Sequence, residues 1–96
     1  MAYTFIARMK IFPDREAQFI DACERMEQAV RDHEPDALLY KFYKLREPYA
    51  YAVLESFETE AGDRAHQDSA HFREIVPDII ECLDGGYERE FLDPLK

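Results

Sequence analysis

The side chains best suited to move a proton near neutral pH are the histidines His33, His66 and His71, because the unperturbed imidazole pKa lies close to that range. His66 and His71 stand five residues apart in a stretch with helical character that runs from Thr59 to about Val76. On a continuous helix this spacing turns the two rings about 140° apart, against about 40° for the four-residue spacing that lets two imidazoles grip one metal ion. The spacing therefore predicts no metal site. His66 follows Ala65, a position in the expected core stripe, so it should border the boundary between helix and sheet. There it is either a buried, hydrogen-bonded histidine or a group that binds or deprotonates a small molecule. His71 is expected on the outer side, and His33 at the frayed end of the first helix, where a cation suits the helix dipole.

The chain carries six tyrosines and seven phenylalanines. Most fall at core spacing, yet together they can line an apolar pocket with hydroxyl handles, which suits an aromatic or quinone-like ligand. The candidates are Tyr40, Phe42 and Tyr51 on a predicted hairpin, Phe57 at the end of its second strand, and Phe72 near His66. Most carboxylates read as solvated charges on helix faces, but Glu55 sits inside a strand. Other chemistry lacks support, since no P-loop, G-x-G-x-x-G, G-x-S-x-G or H-E-x-x-H occurs and 3 glycines cannot build a phosphate cradle. Cys23 and Cys82 lie among apolar neighbours without C-x-x-C spacing and read as buried, reduced thiols.

The elements that must position these groups follow from period and punctuation. Tyr3 to Phe12 alternates Phe5, Ala7, Met9 and Ile11 against Thr4, Arg8 and Lys10, a strand pattern. Pro13-Asp14 breaks it, with Asp14 a candidate cap, and a helix is predicted over 14–33 with Phe19, Ala22, Cys23, Met26, Ala29 and Val30 on one stripe. Glu34-Pro35-Asp36 is a loop, because a residue before proline is pushed out of the helical region. Strands over 37–45 and 49–57 form an antiparallel hairpin, turned at Glu47-Pro48. Apolar residues occur at both parities of the first of these, so both sheet faces should be covered. A second helix opens with Thr59 as cap and carries Ala61, Ala65, Ser69 and Phe72 toward the sheet. Pro77 should end or kink it near Val76 and start a short helix through Leu83. Gly85-Gly86 then turns the chain into a last strand over 87–92. The order β-α-β-β-α-β implies an α+β, ferredoxin-like arrangement, a four-stranded antiparallel sheet with helices on one face.

At 96 residues, residues 1–96 are expected to be one domain, and 47% hydrophobic content is enough for a packed core. The formal charge of −9 opposes binding to phosphate backbones and anionic membranes, which argues against nucleic acid as a partner. No apolar run approaches the roughly 20 residues that span a bilayer, and none near the N-terminus suits a signal peptide. These features predict a cytoplasmic protein. The sheet face left without helices calls for cover, and a second copy of the chain is the expected cover.

The stretch Tyr51-Ala-Val-Leu-Glu55-Ser-Phe57, followed by Ala65-His66-Gln-Asp-Ser69-Ala-His71-Phe72, resembles the antibiotic biosynthesis monooxygenase (ABM) domain family, many of whose bacterial members are called quinol monooxygenases. The shared pattern is a strand ending in Glu-x-aromatic, an acidic turn, and a helix with histidine, serine and phenylalanine in register. The resemblance implies a homodimer whose sheets pack as a dimeric α/β barrel, with a pocket between sheet and helices in each subunit. It implies oxygenation of a small quinol or phenol with no cofactor, the electron-rich ring itself reducing oxygen, with His66 as catalytic group and Phe57 where relatives often carry tryptophan. Other members degrade haem, isomerise or bind ligands. This chain has no tryptophan and no asparagine, both common in oxygenating and haem-degrading relatives, which disfavours haem degradation. A dimeric module that binds an aromatic molecule without turnover, or an isomerase of the same fold, are the alternatives.

Overall fold

Alternation along the first segment produces strand β1, Tyr3–Lys10, whose residues Phe5, Ala7 and Met9 are buried. The structure is a computed structural model and describes residues 2–95. A 3-10 turn at Pro13–Arg15 leads into helix α1, Glu16–His33, which buries Phe19, Ala22, Cys23, Met26 and Val30 as its stripe requires. Strand β2, Ala37–Lys44, and strand β3, Ala50–Phe57, form the expected hairpin. Helices α2, Glu60–Asp68, and α3, Ala70–Ile80, follow, and strand β4, Arg89–Leu92, closes the order. The sheet runs β2-β3-β1-β4, antiparallel throughout, which is the ferredoxin-like topology.

Register assigns the faces. Tyr40 pairs with Glu55, Glu55 with Phe5, and Phe5 with Phe91, while Phe42, Val53, Ala7 and Arg89 form the next row. Cross-strand partners share a face, so these rows point together toward the helices. Phe19 and Met26 of α1 and Ile75 and Ile79 of α3 complete the core against Ala7, Met9 and Val53. The opposite face carries Leu39, Tyr43 and Leu92, which are exposed, together with half-buried Ile6 and Leu54. A register shift between Ala37 and Leu39 makes Leu38 a bulge residue and takes it out of phase with Tyr40.

The second helical stretch departs from expectation in three ways. It breaks at Ser69, whose extended dihedrals, φ −70° and ψ 152°, end α2 and cap α3 at once. The Ser69 hydroxyl donates to the His66 carbonyl at 2.7 Å and accepts from the Phe72 amide at 3.2 Å, so one side chain serves both helix ends. The core stripe is also rotated: Ala61 and Ala65 are exposed, whereas Gly62, Asp63 and His66 are buried. Gly62 allows the close approach, since a Cβ there would sit 3.1 Å from Phe57 Cβ, and Asp63 is matched by Arg89. Finally, Pro77 lies inside α3 without ending it. It is on the exposed side, where water can reach the carbonyl it leaves unpaired. Neither Thr59 nor Asp14 makes a side-chain cap bond.

Candidate functional site

The site begins at the end of α1. Glu34 is the cap residue there, its amide donating to the Val30 carbonyl at 2.9 Å, and Pro35 forces the chain out of the helix. The Glu34 side chain is thereby turned toward the α2–α3 junction. Its Oε2 lies 2.7 Å from Nδ1 of His66 and 2.5 Å from Nε2 of His71. Burial pushes the Glu34 carboxyl up, but the hydrogen bonds from His66 and His71 together outweigh it and hold the carboxyl below its ordinary range. An ionised carboxylate can only accept. Nδ1 of His66 and Nε2 of His71 therefore carry the protons that Glu34 receives.

In the neutral ring that assignment leaves Nε2 of His66 with its lone pair. The residue is 1% exposed, boxed by Tyr40, Phe57 and Phe72 with ring centroids at 5.0, 5.7 and 4.9 Å, and its Nε2 has no hydrogen-bond partner among the described residues. His66 lines a cavity of about 90 Å³ between sheet and helices. Tyr40, Phe42, Val53 and Glu55 form its sheet wall, Phe72, Val76 and Ile79 its helix wall, and Tyr87 and Arg89 also line it. This is less than the roughly 300 Å³ at the lower end of small-molecule pockets, so a ring-sized ligand requires the wall to yield. Tyr87 and Ile80 are lining side chains that are half exposed.

The second polar group of the cavity is Glu55. Its Oε1 is also buried, with no partner among the described residues. Burial pushes its carboxyl up to about 8, with Asp63 and Glu34 adding to the rise and Arg89 opposing it. Arg89 is itself engaged by Asp63, at 2.7 and 3.2 Å through two nitrogens, and its guanidinium stacks 4.1 Å from the Phe5 ring. Buried unpaired polar atoms are rare in native structures and mark places where a ligand or water completes the bonding. Here two of them share one cavity.

Of the residues singled out from the sequence, the fold gathers His66, Tyr40, Phe42 and Phe72 around the cavity and adds Glu55. Phe57 lies behind His66, fully buried, and borders a different, outer hollow. Tyr51 opens on a third hollow beside α1, where its hydroxyl donates to Glu16 Oε2 at 2.7 Å. Burial and that bond push the Tyr51 hydroxyl up to about 12. His71 is not on the outer side of a continuous helix. The break at Ser69 swings it back onto Glu34, and the 140° argument against a shared metal ion fails with the helix it assumed. The donor atoms of Glu34, His66 and His71 all lie within 4.8 Å of one another. Glu34 escaped the sequence reading because a carboxylate before Pro35 looks like any loop charge; its partners are 32 and 37 residues away.

Comparisons with known proteins agree with this architecture. Residues 2–78 match the family described as antibiotic biosynthesis monooxygenase. The chain is 29% identical over 77 residues to YcnE of Bacillus subtilis (strain 168), a protein provisionally named a monooxygenase, covering 80% of this chain and 81% of that one. A conserved protein from Methanosarcina mazei Go1 superposes with a TM-score of 0.87 at 27% identity, over 96% of this chain and 91% of that one. A Caulobacter crescentus CB15 protein, provisionally named an antibiotic biosynthesis monooxygenase, superposes at 0.91 with 21% identity, over 99% and 91% of the two chains. The last of these is a likeness of fold.

Proposed function

Because the chain belongs to the antibiotic biosynthesis monooxygenase family, we propose that it oxygenates a small quinol or phenol without a cofactor, using His66 as the base. The observation that carries this reading is that His66 lines the cavity with a buried Nε2 that has no partner among the described residues, while Glu34 holds Nδ1. A phenol seated there gives its proton to Nε2, and the adjacent carboxylate stabilises the imidazolium that forms. The phenolate is electron-rich enough to pass an electron to dioxygen, and the aromatic walls keep water from the radical pair. For a quinol the balance closes with dioxygen alone: one oxygen atom enters the ring to give a hydroxyquinone, and the other leaves as water. Glu55, protonated at neutral pH by its raised pKa, donates to the second oxygen of the substrate.

The functional unit is proposed to be a homodimer. The exposed side chains Leu39, Tyr43 and Leu92 lie on one sheet face with no helix over them, and a second copy supplies the cover such a face needs. Cytoplasmic residence fits the two buried free thiols. No helix among the described residues is long and apolar enough to cross a membrane.

The test is oxygen uptake by the purified protein against hydroquinones, naphthols and anthrones, corrected for autoxidation. Saturable uptake lost in His66→Ala is expected. A non-catalytic binding module is the second reading, favoured by the small cavity and by the absence of asparagine and tryptophan from the chain. Saturable binding of an aromatic probe with no oxygen consumed would select it.

A further inference from the structure

His66 is a partition with two sides. The ring lines the inner cavity, and its Nδ1 is held on the other side by Glu34, which also takes His71. Beyond those two residues is a separate outer hollow of about 160 Å³, lined by His33, Glu34, Asp36, Phe57, Ser69 and His71 among others. We propose that Glu34, His66 and His71 bind a divalent first-row transition ion, zinc before others, entering from this hollow.

Three observations support the site. Two imidazole nitrogens converge on one carboxylate oxygen, at 2.7 and 2.5 Å, although Glu34 caps the end of α1 and the two histidines come from α2 and α3. Two histidines and a carboxylate form a recurrent ligand set for zinc and its neighbours in the first transition row. Donors around a tetrahedral ion stand about 3.3 Å apart, given metal–ligand bonds near 2 Å. All three donor atoms already lie within 4.8 Å of one another, so side-chain shifts of about an ångström admit the ion. The third observation is that the ligands are held and the ion has access. His71 stacks on His33 at 5.4 Å and 27°, and His66 is fixed by its aromatic box. The outer hollow leaves the fourth position to water.

The inference does not need the oxygenase reading, but it bears on it. An ion on Nδ1 requires the proton of a neutral His66 to sit on Nε2, so that the atom facing the cavity becomes a donor and can no longer take a proton. Occupation of the outer site then switches off the base without entering the cavity.

The experiment uses the full chain free of any affinity tag and stripped with a chelator. Zinc is titrated by calorimetry and cobalt(II) by its visible absorption. One ion per chain is expected, with a tetrahedral cobalt spectrum, and binding weakened about tenfold or more in His71→Ala and in Glu34→Gln. In the unmodified chain labelled with 15N-histidine, zinc is expected to move the resonances of His66 Nδ1 and His71 Nε2, a readout that requires no variant to fold. Absence of saturable binding, binding unchanged in His71→Ala with its far-ultraviolet spectrum intact, or zinc shifts confined to His33 would each overturn the proposal.

Discussion

Glu34 Oε2 and His66 Nδ1 are 2.7 Å apart, and that one bond fixes which imidazole nitrogen faces the cavity. Replacing the carboxylate by an amide keeps the shape but lets the side chain donate to Nδ1, which favours the wrong tautomer. Glu34→Gln is expected to lower kcat by about 10²- to 10⁴-fold on a confirmed quinol or phenol, with KM little changed, in chelator-treated protein. Steady-state oxygen uptake reads both constants. A loss confined to KM would place Glu34 in binding and not in tautomer control.

Glu55 makes the stability of the fold depend on pH. Its carboxyl titrates near 4.5 when exposed and at about 8 in the folded chain, so between those values the native state holds a proton that the unfolded state has released. The contribution is complete below the lower value and is lost as pH rises through the upper one. Asp63, Glu34 and Arg89 set the local field, Tyr40 lies opposite in register, and His66 lines the same cavity. Denaturant unfolding is expected to show Glu55→Gln gaining on the unmodified chain by a few kcal/mol between pH 5 and pH 9, at about 1.4 kcal/mol per pKa unit. A difference that stays flat across that range would show that Glu55 titrates normally.

The Asp63–Arg89 pair ties β4 to α2 with Asp63 almost wholly buried, its side chain 4% exposed. Truncating one member strands the other. Arg89→Ala is expected to cost about 3–5 kcal/mol by leaving a buried carboxylate unpaired. Asp63→Leu with Arg89→Leu together should cost less than the sum of the singles, which a double-mutant cycle in urea measures.

The unhelixed sheet face is expected to hold the dimer together. Leu54 lies on central strand β3 on that face, so Leu54→Lys places a charge in the middle of the apposed surfaces without touching the cavity. Sedimentation should report a folded monomer for the variant and a dimer for the unmodified chain. An unmodified chain that sediments as a monomer at micromolar concentration would remove the dimer from the proposal.

What the sequence disclosed and what it hid have a common physical basis. Strands β1 to β3 and helix α1 were readable because a period of two, or of three and four, records which side chains meet the core, and Phe5, Ala7, Met9, Phe19 and Met26 are buried as that rule requires. The break at Ser69 was not readable, since a serine between Asp68 and Ala70 suits a small-residue stripe as well as a cap. The stripe that apolarity predicts for α2 is one residue out of phase, because its buried side is chosen by Gly62 against Phe57 and by Asp63 with Arg89. Type and spacing alone point to His66 and to Tyr40, Phe42 and Phe72 around the cavity. Glu34, which orients His66, depends on contacts between distant segments and left no local mark.

The extended backbone at Ser69 also limits how this chain can change in length. One residue added between Ser69 and Ala70 would turn α3 by about 100° about its axis. His71 would leave Glu34, and Ile75 and Ile79 would leave the core in the same movement, because all three are presented by the same helix. Alignment of the histidine pair is thus locked to the packing of α3. An insertion that spoils the site unfolds the chain that carries it, whereas the connection between α3 and β4, with Gly85 and Gly86 in open space, is where added length can be absorbed.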